Sequence, residues 1–212
     1  MPPRGRKRKA SAPPRRPPAR LDYRSRTDGA WYASRLVLQG GLLRVMFEDY
    51  IEEWDEWYNP DAGDLASSQG VAALRARFRV TSPPLDDARC GELRPGQRLC
   101  VICATSDGQR LYYDAVLDSV KRAAHGAVDG EERCACRFRV EWTEGPRSGD
   151  LEEVGIVDVC CVQNAPVQDP VLSEFLDFVT NSFGNGKGGA TASSQATGAT
   201  LAPGGEGGTA PV

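Results

Sequence analysis

Histidine is all but missing from this chain: among 212 residues there is one, His125. Any chemistry that needs an imidazole as base or relay must therefore use that single side chain. No apolar run approaches the roughly 18 residues of a membrane helix, and no secretory leader is expected at the start. A phosphate-cradling glycine loop and an open-site zinc motif are also missing. Acid is absent from the first twenty residues, "MPPRGRKRKASAPPRRPPAR", which hold eight Arg/Lys and six prolines. Such a segment has almost nothing apolar to bury. From about residue 184 the chain turns to Gly, Ala, Ser and Thr without a hydrophobic period. Both ends are expected to be disordered, leaving roughly 21–183 to fold.

What is present divides sharply by charge. The formal net charge is −3, from 26 basic and 29 acidic residues. Setting aside the eight basic residues of the arm leaves 18 against 29, so the body carries about −11. An acidic body does not read duplex DNA, which needs a basic face, and it suits a cationic partner. "RGRKRK" in the arm fits a nuclear localisation signal or a nucleic-acid contact, or else a solubilising extension. Seven cysteines without a leader point to buried or metal-bound thiols rather than disulfides.

The body reads mainly as strand. "WYASRLVLQ" (31–39), Gly-Gly and "LLRVMFEDY" (42–50) form a hairpin signal. Strand-like runs follow at 98–105, 111–121, 134–145 and 152–163. "AWYASRLV" resembles "LYYDAVLDSV", and in each half the next strand leads into an aromatic and acidic stretch. That weak repeat predicts two small barrels. Helices are expected at 67–78, capped by Ser67 or Ser68, and at 169–183, with Asp169 as N-cap and Pro170 in the first turn.

Cys134 and Cys136 flank Ala135 at the head of "RFRVEW". In a strand their sulfurs face the same way, and the turn-rich "HGAVDGEER" can fold His125 over them. A fourth ligand from Cys160 or Cys161 would complete a Cys3His set, whose closed tetrahedron makes zinc structural rather than catalytic. Alternation groups Cys160 with Asp158 and Val162, and Cys161 with Val157, Val159 and Gln163, a pattern that slightly favours Cys160. The competing reading is a simple buried cysteine pair. Cys90, Cys100 and Cys103 show no partner histidine, and Cys100 and Cys103 fall on opposite faces of "LCVIC", as core residues would. With the lone histidine taken by metal, no enzyme is expected.

Taken in order, "LDYRSRTDGAWY", "LLRVMFEDYIEEWDEWYN", "LYYDAVLDSV", "H…CACRFRVEW" and "GDLEEVGIVDVC" resemble the SAWADEE domain of plant chromatin proteins over about residues 21–163. The resemblance implies a mainly β fold of tandem Tudor-like small β-barrels with a structural zinc, short helices and disordered termini. The divisions expected are a basic tail (1–20), first subdomain (21–90), second subdomain with the zinc (91–165), C-terminal helix (166–183) and a disordered tail (184–212). It implies zinc on His125, Cys134, Cys136 and, because the family's "DIC" is matched by "DVC", Cys160. It also implies a methyl-lysine cage of Tyr32, Phe47 and Tyr50, with Asp22 binding the peptide. The family's acid after the cage tyrosine is Ala33 here, which puts discrimination at an unmodified histone lysine in doubt. Trp31 is expected in the core, and Trp54 and Trp57 along the groove or bracing it.

Family members with a homeodomain bind histone H3 tails methylated on lysine nine and help recruit a plant-specific RNA polymerase for RNA-directed DNA methylation. This sequence has no homeodomain. The implied function is a nuclear chromatin reader of methylated H3 tails, acting in silencing with polymerase or remodeller partners. The rivals are an adaptor that uses the basic arm for nucleic acid, and a methyl-arginine reader.

Overall fold

The computed structural model describes residues 21–105 and 108–185. The basic arm and the tail beyond residue 185, both expected to be disordered, lie outside the described residues. No helix among the described residues is long and apolar enough to cross a membrane.

The described residues form twelve strands and two α-helices, with short 3₁₀ turns between them. The first half comprises β1 (Leu21–Arg24), β2 (Trp31–Gln39), β3 (Leu42–Phe47), β4 (Glu56–Tyr58), α1 (Ser68–Arg75) and β5 (Phe78–Val80). The second holds β6 (Arg98–Ala104), β7 (Arg110–Lys121), β8 (Gly126–Val128), β9 (Glu131–Arg133), β10 (Arg137–Trp142), β11 (Leu151–Val154) and β12 (Val159–Cys161), and then α2 (Pro170–Asn185). Ten strands share one antiparallel sheet, while β8 and β9 pair only with each other.

The sheet branches at β2 and β7, the two strands matched by the internal repeat. β2 pairs with β1 along its first half and with β3 along its second. β7 pairs with β6 and then β10, with a register shift between Arg139 and Val140. The two branch strands touch through one pair, Trp31 with Tyr112. A strand that changes partners midway must coil, so each half of the sheet curls around its own core. One core gathers Leu21, Tyr23, Leu43, Val45 and Phe78 under α2, which adds Leu172, Phe175, Leu176 and Val179. The other gathers Leu99, Val101, Leu117, Phe138, Val140 and Trp142, and takes in Leu85 and Cys90.

Local rules explain the elements. Gly40 and Gly41 adopt φ of 60° and 84° and close the β2–β3 hairpin, where other residues would be strained. β10 alternates exposed Arg137, Arg139 and Glu141 with buried Phe138, Val140 and Trp142. Ser67 caps α1 by accepting the Gly70 amide at 3.0 Å, and Asp169 accepts the Leu172 amide at 2.9 Å.

Two expected strands are interrupted. Residues 134–136 form a linker before β10 rather than its first turn of strand. The expected strand 152–163 breaks at Gly155 into β11, a 3₁₀ turn at Ile156–Asp158, and β12.

A buried ion cluster joins the halves. Arg79 binds Asp114 at 2.6 Å and Asp22 at 3.3 Å, donates to the Cys100 sulfur at 2.8 Å, and lies 3.7 Å from the Trp31 ring centroid. Trp31 is in the core, as expected.

Candidate functional site

β2 and β3 bring three aromatic rings to one corner. Tyr32 projects from β2, and Phe47 ends β3. The ladder runs one bond further, Glu48 N–H to Ala33 C=O at 2.9 Å. Asp49 then takes φ 68°, a left-handed conformation that aspartate tolerates better than most residues. This reversal ends the alternation of the strand and swings Tyr50 back over Phe47. Ring centroids are 5.0 Å apart for Tyr32–Phe47, 5.4 Å for Tyr32–Tyr50 and 6.3 Å for Phe47–Tyr50. The ring planes meet at 63°, 87° and 70°, so the three stand as walls of a box rather than as a stack. Phe47 is buried, Tyr32 half-buried, and Tyr50 46% exposed at the rim.

A cavity of about 550 Å³ opens onto these rings. Trp54 from the turn Glu52–Trp54, Leu111 from β7, Asp28, Glu56 and Arg110 are among the other residues that line it. The Tyr32 hydroxyl donates to Asp28 at 2.6 Å. Burial, and then that carboxylate, push the Tyr32 phenol up, so the ring stays neutral. Neutral π faces beside a carboxylate form an environment for a weakly hydrated cation. Sequence reasoning missed Asp28, although the "TDGA" turn offered a signal: its carboxylate also accepts the Ala30 amide at 2.9 Å, fixing an Asx turn. Trp57 lies outside this wall, with the Arg44 guanidinium 5.2 Å from its ring centroid.

Asp22, expected to meet a peptide, is buried instead. β1 lies between β2 and β5, and the Asp22 carboxylate accepts the Ser82 amide at 3.0 Å while paired with Arg79. Burial raises its pKa, opposed by the Ser82 amide and by Arg79. A side chain so enclosed and so paired has nothing left to offer a peptide at the surface.

Four potential metal ligands converge on the far side of the second core. They are Cys90, His125, Cys134 and Cys136, whose ligand atoms all lie within 4.8 Å of one another. Cys90 Sγ is 3.2 Å from His125 Nε2 and 3.9 Å from Cys136 Sγ, and Cys136 Sγ is 3.6 Å from His125 Nε2. Ligands about 2.0–2.3 Å from a tetrahedral ion would stand roughly 3.5–3.8 Å apart, close to these separations. His125 Nδ1 bonds the Glu132 carboxylate, which orients the ring and leaves Nε2 toward the sulfurs. The Ala123 amide, and the imidazole further down, bring the Cys136 thiol down to about 6 despite its burial. Burial sends Cys134 up to about 12. Three thiols and one imidazole form a set that could hold a metal ion.

The fourth member is thus Cys90 and not Cys160. Cys160 sits in β12 opposite Cys100 of β6, and on its other edge residues 83–85 bond to Val159 and Cys161. Held between β6 and residues 83–85, it packs with Trp31 and Cys100 in a separate buried cluster. Cys90 comes from a 3₁₀ turn at Asp87–Glu92, whose Asp87 carboxylate accepts the Cys134 amide at 2.6 Å. No periodic pattern in the sequence marks that turn.

The sequence matches the SAWADEE domain family over residues 18–160. The chain belongs to that family. No curated protein matches it. Among solved structures, the SHH1 SAWADEE domain in complex with an H3K9me3 peptide is similar, with a TM-score of 0.51 and 22% identity over 68% of this chain and 98% of that one. The selenium-substituted Arabidopsis thaliana SHH1 SAWADEE domain gives 0.51 and 24%, over 69% and 98%. At these identities the likeness establishes the fold, the mainly β architecture expected from the sequence. Within this SAWADEE domain the ring corner lies on the first core and the Cys/His cluster on the second, with the Arg79 ion cluster between them.

Proposed function

We propose that this SAWADEE protein is a nuclear reader of histone H3 tails methylated on lysine nine, with Tyr32, Phe47 and Tyr50 receiving the methylated ammonium. The observation that carries the reading is the box of three mutually inclined rings opening on a cavity with a carboxylate at its edge. A methylated ammonium keeps its charge but loses hydration. Each ring face then contributes about 0.5–2 kcal/mol by cation–π attraction, more as water is excluded. The similar SHH1 domain holds an H3K9me3 peptide, which supports the choice of ligand. The same reading gives it a role in RNA-directed DNA methylation or a related silencing pathway, as the family resemblance implies.

The metal proposed is zinc on Cys90, His125, Cys134 and Cys136. These four side chains would hold the ion, and a bound ion would supply a structural cross-link between the Asp87–Glu92 turn and the β9–β10 linker. The chain's own residues prepare the site: Glu132 orients the imidazole, and the Ala123 amide favours the Cys136 thiolate.

Titration of the full chain with fluorescent H3 tail peptides tests the reading. Peptides methylated at lysine nine should bind more tightly than the unmodified one, and Tyr32→Ala or Tyr50→Ala should abolish that difference. Binding that survives both substitutions but vanishes on deleting residues 1–20 would replace the reader with an adaptor using its basic arm. A preference for methyl-arginine peptides would redirect the box to that cation.

A further inference from the structure

Three charged side chains line the ring cavity: Asp28, Glu56 and Arg110. Two are already neutralised. Glu56 is buried and binds Arg26 Nε at 2.6 Å, the Arg26 amide at 2.8 Å and the Tyr23 hydroxyl at 2.7 Å. Arg110 binds Asp158 at 2.6 Å. Asp28 differs from both. Its two bonds come from neutral donors, the Tyr32 hydroxyl and the Ala30 amide, and among the described residues it has no cationic partner. The cavity therefore presents one uncompensated negative charge, held at the edge of the Tyr32 ring.

That carboxylate also has acceptor capacity left. Two oxygens offer about four lone-pair positions, and one bond falls on each: Oδ1 takes the Ala30 amide and Oδ2 the phenol. A trimethylated ammonium has no N–H and would feel only the charge. Mono- and dimethylated ammonium ions retain N–H groups, which an all-aromatic box would strand without a partner at a desolvation cost. Beside a free carboxylate lone pair, the same N–H forms a charge-assisted hydrogen bond instead.

We infer that Asp28 is the counterion of the ring box and sets its methylation-state preference, favouring mono- and dimethyllysine over trimethyllysine. The inference rests on the reader assignment above. It names the residue that would decide which modified tails are retained, and nothing in the resemblance points to that position.

Fluorescence anisotropy of the full chain with H3 tail peptides carrying un-, mono-, di- or trimethylated lysine nine tests it. The wild type should bind the mono- and dimethylated peptides at least about threefold more tightly than the trimethylated one. Asp28→Asn keeps an oxygen for the Ala30 amide and an amide to donate to the phenol, so the turn should persist. It should weaken mono- and dimethyl binding by about tenfold, the scale of one charge-assisted bond, and trimethyl binding by less, erasing the order. Asp28→Ser, whose hydroxyl can also close the turn, should give the same flattened order if the Asn variant misfolds. A wild type that prefers trimethyllysine, or neutral variants that keep the wild-type ratios, overturns the role of Asp28 while leaving the reader intact. Failure of the wild type to bind any methylated peptide, or undiminished binding by Tyr32→Ala, removes the reader and this inference with it.

Discussion

Replacing Cys90 by alanine should strip the metal from this protein, while replacing Cys160 by alanine should leave it in place. Apparent binding free energies for structural zinc run to about 10–16 kcal/mol over four ligands, so one ligand is worth roughly 2.5–4 kcal/mol, or two to three decades of affinity. Cys90 Sγ lies 3.2 Å from His125 Nε2 and 3.9 Å from Cys136 Sγ, so its loss opens the tetrahedron. Cys160 is sequestered with Trp31 and Cys100, and its truncation removes one buried sulfur from a small cluster, a loss of about 1 kcal/mol or somewhat more. The assay is metal content by mass spectrometry after dialysis against a competing chelator, paired with hydrogen exchange. Wild type and Cys160→Ala should retain about one zinc per chain, and Cys90→Ala and Cys134→Ala close to none. The damage should be local. β8 and β9 pair only with each other, and all their residues are exposed, so without the metal this hairpin has little to hold it. Amides across residues 123–136 should exchange faster while those of β6 and β7 stay protected. Metal retained by Cys90→Ala and lost by Cys160→Ala would refute the reasoning.

Tyr50→Ala and Phe47→Ala should separate binding from stability. Tyr50 is 46% exposed, so its removal should cost methyl-peptide affinity with little change in melting temperature, whereas buried Phe47 should cost about 3–5 kcal/mol as well, read by denaturant unfolding. Gly70→Ala should destabilise by about 1–3 kcal/mol or more in the same assay, because a Cβ there would stand 1.7 Å from the Asp64 carbonyl oxygen, a backbone atom with no freedom to turn aside. Asp22→Asn should change the pH profile of stability. Burial raises the folded pKa of Asp22, so the folded state binds its proton more firmly than the unfolded chain. That favourable term is complete below the unfolded value near 3.9 and is lost as pH climbs through the folded pKa. Wild type should therefore lose stability relative to Asp22→Asn as unfolding is measured from pH 4 upward, and parallel profiles would contradict the assignment.

What could be read in advance divides along the range of the forces involved. The β2–β3 hairpin, the cap at Ser67 and the start of α2 at Asp169 are set within a few residues, by glycine conformational freedom and by side chains satisfying free amides, so their signals lie in contiguous sequence. The three rings were named through the family resemblance, and the fold brings them together because Phe47 and Tyr50 share one turn and Tyr32 lies on the partner strand. The fourth member of the Cys/His cluster was not named. Cys90 stands 35 residues before His125, in a 3₁₀ turn placed by the folding of residues 83–92 onto the second core. Cys160 looked better on spacing and on the "DVC" match. Its sulfur nevertheless belongs to the β12–β6 register, where strand pairing fixes it opposite Cys100. Asp22 failed for the same kind of reason. It occupies the position where the resemblance puts a peptide-binding acid, but Arg79 from β5 and Asp114 from β7 turned that position into the junction of the two cores. An exposed carboxylate can greet a ligand, whereas Asp22, enclosed and held by the Ser82 amide and Arg79, cannot reach one. Asp28, six residues further on, lines the ring cavity without a cationic partner among the described residues, in a loop whose conformation it fixes for itself through the Ala30 amide.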